Sequence, residues 1–124
     1  MVPLPIGLLR VERALLVATD QEAIPINDVS VEVYEDKKQM RQLRGRGLIH
    51  NRSMVESLER HDCFDILLDF GDEIYFWLSS PEIQVGKVFD RKVLSSIHFS
   101  IGKSIRELSG KEMQELVSTG ISQH

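Results

Sequence analysis

Cys63-Phe64-Asp65-Ile66-Leu67-Leu68-Asp69-Phe70-Gly71-Asp72-Glu73-Ile74-Tyr75-Phe76-Trp77-Leu78-Ser79-Ser80 is the stretch on which the reading of this chain turns. Phe64, Ile66, Leu68 and Phe70 recur at every second position, which places them on one face of a pleated strand. Gly71-Asp72 follows, and Gly first in a two-residue loop suits a type II′ turn. Beyond it Ile74 to Leu78 is continuously apolar, as expected of a strand covered on both faces. The segment therefore predicts a hairpin across 63–80 at the middle of an antiparallel sheet.

Working outward, Leu8 to Ala18 is rich in Leu and Val and reads as a strand. Val29, Val31 and Val33 alternate with Ser30, Glu32 and Tyr34, which gives a second strand with one wet side. Asp36 to Arg44 lacks β-branched residues and is built from good helix formers before Gly45 and Gly47, so it predicts a short basic helix. Ser53 stands three residues before Glu56, a capping-box spacing that predicts a second helix over Met54 to His61. Ile83 and Val85 mark a strand after Pro81. Ile97, Phe99, Ile101 and Ile105 keep period two against mostly Ser partners, although Leu94, Ile97, Ile101, Ile105 and Leu108 also fit a helical stripe. The central Gly102 favours strand. Ser109 with Glu112 repeats the capping box, and Leu108 with Met113 supplies the staple of a terminal helix ending near Gly120.

The expected order is β-β-α-α-β-β-β-β-α. This is an α+β fold, a mainly antiparallel sheet of about five or six strands with two short helices between strands 2 and 3 and a C-terminal helix. With 124 residues, 42% hydrophobic and 27% charged, and no Pro-rich or Gly/Ser-rich linker, one domain over 8–120 is expected. Residues 1–7 read as an extended arm and 121–124 as a disordered tail. No apolar run reaches the roughly 20 residues of a membrane-spanning helix. A single cysteine, Cys63, excludes an internal disulfide scaffold, so the cytoplasm is the expected compartment and no membrane is involved.

Charge is segregated more than the net −4 suggests. Lys37, Lys38, Arg41, Arg44, Arg46 and Arg52 stand with no acid between them, whereas Glu56 to Glu73 holds seven acids and one base. Guanidinium forks beside glycines can take up phosphate or carboxylate oxyanions, so these six residues form the candidate binding surface. The bland alternative is a solvated basic helix paired to the acids that follow it. Arg41 and Arg44, three apart, would be the principal phosphate contacts if a nucleic acid or anionic nucleotide bound here. The acidic total and the lack of aromatics in the basic stretch weigh against a broad nucleic-acid surface.

Catalytic and metal motifs are weak. Gly102-Lys103-Ser104 would need glycine at position 97 to be a phosphate loop, and Ile97 stands there. His61 and Cys63 form no local dyad, the four histidines lack metal-ligand spacing, and Asp65, Asp69, Asp72 and Glu73 do not follow a calcium loop. Glu35-Asp36-Lys37 has the acid-x-lysine ending of metal-dependent nucleases, yet such a site needs another acid, Asp20 or Asp28, brought in by the fold. Tyr75 and Trp77 are either core or interface anchors, and a nearly all-apolar strand in a small domain invites a homodimer. The leading expectation is a non-catalytic interaction protein without cofactor or metal, engaging another macromolecule in an adaptor, chaperone, antitoxin or immunity-type role. The alternatives are binding of nucleic acid or an anionic nucleotide through 37–52, and a small metal-dependent nuclease.

Overall fold

The computed structural model describes residues 4–18, 23–50, 63–85, 94–102 and 104–118. Among these residues nine strands follow in chain order: β1 (Gly7–Arg10), β2 (Arg13–Ala18), β3 (Ala23–Glu35), β4 (Arg41–His50), β5 (Phe64–Gly71), β6 (Ile74–Ser79), β7 (Glu82–Val85), β8 (Leu94–Ser100) and β9 (Ser104–Leu108), before one helix, α1 (Gly110–Ser118). Every pairing is antiparallel, in the order β7-β8-β4-β3-β2-β5-β6-β9, with β1 beside the second half of β3. β6 runs on into β7 and β8 into β9, and the two stretches pair with each other on both sides of the break, Ser79 with Ser104 and Glu82 with Ser100. This ribbon joins the two ends of a sheet curled into a half-barrel.

Among the described residues the fold is therefore mostly sheet, which corrects the α+β expectation: the first of the two helices expected between the second and third strands is absent. Residues 36–40 form the loop of a hairpin, and the basic segment after it is β4, paired with β3 from Glu35↔Arg41 to Ile26↔Ile49. Good intrinsic helix formers yield here to register: Leu43, Gly45, Gly47 and Ile49 all face inward and are buried, while Arg44, Arg46 and His50 face out. The expected helix over 54–61, Arg52 and the tail 121–124 lie outside the described residues. The single strand expected over Leu8 to Ala18 is two: Val11 donates its N–H to the Val29 carbonyl, but Glu12 donates to Asp69, so the chain changes partner strand at that point.

The 63–80 hairpin stands as β5 and β6, with Ile66 opposite Leu78 and Leu68 opposite Phe76. It lies toward one end of the strand order, with β9 beyond it, and not at the expected middle of the sheet. Its turn differs from the expected type. Asp72 and Glu73 both have positive φ, 53° and 62°, the mark of type I′, and Gly71 at φ 88° precedes them at a break in the register. The concave face encloses the main core, in which Val31, Leu43, Ile49, Ile66, Leu68, Leu78 and Ile97 are at most 1% exposed. On the convex face Val17, Ala23, Leu67 and Leu108 meet Met113 of α1 in a second cluster. That helix starts as its sequence dictates: Ser109 Oγ accepts from the Glu112 N–H at 3.1 Å, and Glu112 Oε1 accepts from the Ser109 N–H at 3.2 Å.

Two carboxylates tie local structure to pH. Asp36 closes the β3–β4 loop, and the Met40 N–H, assisted by the Lys38 N–H and the Gln42 amide, holds its pKa below the usual 3.8. Hydrogen bonding from Arg106, then from the Ser109 N–H, holds Glu112 below the usual 4.5. Both charged forms are favoured by folding, so this stabilisation is complete above the unfolded values and is lost as pH falls through the lowered ones. Thermal unfolding followed on acidification should show wild type losing stability below pH 4.5 faster than Asp36→Asn or Glu112→Gln, with the curves converging at the acid end. Parallel curves for all three would contradict it.

Candidate binding surface

Strand register assembles an outward-facing surface from five separate segments. Across β1, β3, β4, β8 and β7 one row of directly opposed residues reads Leu8, Glu32, Arg44, Ser100, Glu82. The adjacent row reads Arg10, Ser30, Arg46, His98, Gln84. Side chains two apart on a strand share a face, so both rows point the same way. All of their residues except Arg10, together with Gly45 and Phe99, line an open groove of about 550 Å³, while Arg10 lines a neighbouring hollow with Glu12 and Asp28.

The rows differ in electrostatics. In the first, Arg44 donates through Nε to Glu32 Oε1 at 2.6 Å and lies over the Tyr34 ring, 4.7 Å from its centroid. Ser100 Oγ donates to Glu82 Oε2 at 3.4 Å. An exposed pair of the Arg44–Glu32 kind contributes about 0.2–1 kcal/mol to stability, but it satisfies the guanidinium. The second row contains no carboxylate. Arg46 stands between Ser30 and His98, and among the described residues no acid lies within ion-pair distance of Arg46 or Arg10. Strands are about 4.8 Å apart, so Arg10 and Arg46, two strands apart, are spaced by about 10 Å along an acid-free line of donors.

The six basic residues singled out from the sequence do not act as one patch. Lys37 and Lys38 are exposed at the β3–β4 hairpin tip. Arg41 Nη1 donates to the Leu4 carbonyl at 2.8 Å, Arg44 is paired, and Arg46 alone occupies the acid-free row. None of the described five pairs with an acid of 63–73; instead Asp65 accepts from Trp77 Nε1 and the Ser80 N–H, and Asp69 sits beside Arg13. Tyr75 and Trp77 are half-buried against the cluster under α1. Sequence reading missed Arg10, Ser30, Gln84 and His98 as site residues, since each is unremarkable until pairing brings it beside Arg46. Asp36, one of the acids of the nuclease-like tripeptide, is engaged with its own loop, and no group of three His, Cys, Asp or Glu side chains able to hold a metal occurs among the described residues. No helix among them is long and apolar enough to cross a membrane.

Comparison of the chain with models of known families, with curated proteins and with solved structures finds no match.

Proposed function

We propose that this protein is a non-catalytic binding module that takes an acidic surface of a partner protein across the outer face of β3, β4 and β8. The observation that carries the reading is Arg46, an exposed guanidinium with no acid within ion-pair distance among the described residues, flanked on both neighbouring strands by the hydrogen-bonding side chains of Ser30 and His98. Guanidinium recognises carboxylate through two parallel hydrogen bonds, and its planar fork is pre-organised for that geometry. An acidic protein suits this surface better than nucleic acid does. The row has no Phe, Tyr or Trp on which bases could stack.

The test is titration of labelled short poly-L-glutamate, and of a single-stranded oligonucleotide, into wild type, Arg46→Ala and Arg44→Ala. Poly-L-glutamate should bind at low salt and weaken as salt rises. Arg46→Ala removes a charge-assisted contact of about 1.5–3 kcal/mol, which weakens binding by roughly 10- to 150-fold. Arg44→Ala, whose guanidinium is already engaged with Glu32, should change it by less than about threefold. Equal effects of the two substitutions, or tighter binding of the oligonucleotide, would overturn the reading.

A further inference from the structure

β1 ends the outer surface, and among the described residues its far edge is open. Val11 donates to Val29, and the ladder continues with Leu9 opposite Val31 and Gly7 opposite Val33. Antiparallel ladders alternate, so the N–H and C=O groups of Gly7, Leu9 and Val11 point to β3 and those of Leu8 and Arg10 point away. The Glu12 N–H, on that away side, is taken by the Asp69 carbonyl of β5. The pairing of β2 with β5 stops at Arg13↔Asp69 and the chain turns back at Asp72, so β5 does not extend beside β1. Among the described residues nothing pairs with β1 on this side. The side chains there are open too, Leu8 at 74% exposure and Ile6 at 52%.

We infer that this edge accepts an extended segment of the partner protein as an added antiparallel strand, with an acidic residue opposite Arg10 and an apolar residue opposite Leu8. The inference deepens the proposed function and rests on it. Backbone groups of Leu8 and Arg10 supply the ladder, and directly opposed side chains share a face, so the incoming strand continues both rows of the outer surface by one column. In the added strand the acid precedes the apolar residue by two, because the strands run in opposite directions. Arg10 has no carboxylate partner within ion-pair distance among the described residues, and Leu8 is the most exposed of their large apolar side chains, so charge and apolar area both select that pattern. A strand edge of this kind is ordinarily blunted by charge, and here a single arginine does so in a way that an acidic strand would reverse.

The probe is a fluorescein-labelled peptide with the core Glu-Thr-Val-Thr-Val between serines, read by fluorescence polarisation against the full chain. It should bind, while a version with Lys for Glu, and a version N-methylated at the first Val, should each bind at least about ten-fold more weakly. Arg10→Glu should reverse the preference between the Glu and Lys peptides, and because Arg10 is exposed the fold tolerates it. No binding of the Glu peptide, equal binding of the N-methylated one, or an unchanged preference in Arg10→Glu would overturn the inference. If poly-L-glutamate still depends on Arg46 in that event, the surface reading stands and only the edge is lost. If that dependence is absent as well, both fall.

Discussion

Phe76→Ala is expected to lower the unfolding free energy by about 3–5 kcal/mol, the largest single effect anticipated for this fold. Phe76 is 2% exposed and heads the largest fully buried side chains. It points into the concave core from the middle of β6, directly opposite Leu68, and meets the Phe70 ring edge-on at 5.8 Å with 84° between the planes. Truncation removes the transfer free energy of the ring, leaves a cavity that a curled sheet cannot collapse into, and forfeits an aromatic pair of about 0.5–1.5 kcal/mol. Domains of this kind are stable by about 5–15 kcal/mol in all, so the variant sits near the edge of folding. At roughly 4 °C per kcal/mol for a chain of this size, the melting temperature falls by about 12–20 °C. Urea denaturation of Phe76→Ala beside Ile74→Ala checks it, since Ile74 lies on the same strand but is 41% exposed. Similar losses in the two variants would contradict the burial of Phe76 in the core.

Gly45→Ala should cost about 1–3 kcal/mol, although alanine is ordinarily preferred to glycine inside a strand. A Cβ at position 45 would lie 2.1 Å from Cζ of Phe99, which stands directly opposite on β8 and is 3% exposed. The ring occupies the space a side chain would need, and it cannot leave without opening the core. Gly47 is similarly close to Ile26 and Val29, so the inner faces of β3, β4 and β8 approach one another because two consecutive inward positions of β4 have no side chain. The diagnostic result is the double-mutant cycle with Phe99→Leu. Removing the ring should relieve most of the clash, giving a coupling of about 0.5–3 kcal/mol between the two sites. Additive losses would mean that Phe99 does not lie over Gly45.

The same glycines explain what the sequence conceals. In β5 and β6 every second residue is a large apolar side chain, and the period is visible without coordinates. β4 carries an equally strict alternation of Leu43, Gly45, Gly47 and Ile49, but half of its inward positions are glycine. A pattern search reads those as helix stops, because the apolar atoms that fill the space belong to Phe99, Ile26 and Val29. The capping box at Ser109 and Glu112 was legible since both partners lie within one turn of chain. The binding row was not: Arg10, Ser30, Arg46, Gln84 and His98 come from five strands, and only register makes them neighbours. Likewise the described part of the basic run, Lys37 to Arg46, is a feature of the linear sequence that the fold disperses, sending Lys37 and Lys38 to a hairpin tip, Arg41 to the Leu4 carbonyl and Arg44 to Glu32.

Whether an acidic partner follows the fold or the linear charge run is decided by mapping amide chemical-shift changes in the isotope-labelled protein as poly-L-glutamate is added. The row arrangement requires the changes to fall on Arg10, Ser30, Arg46, His98 and Gln84, a line crossing five strands. Changes confined to Lys37 and Lys38 and their neighbours in the hairpin loop would contradict it.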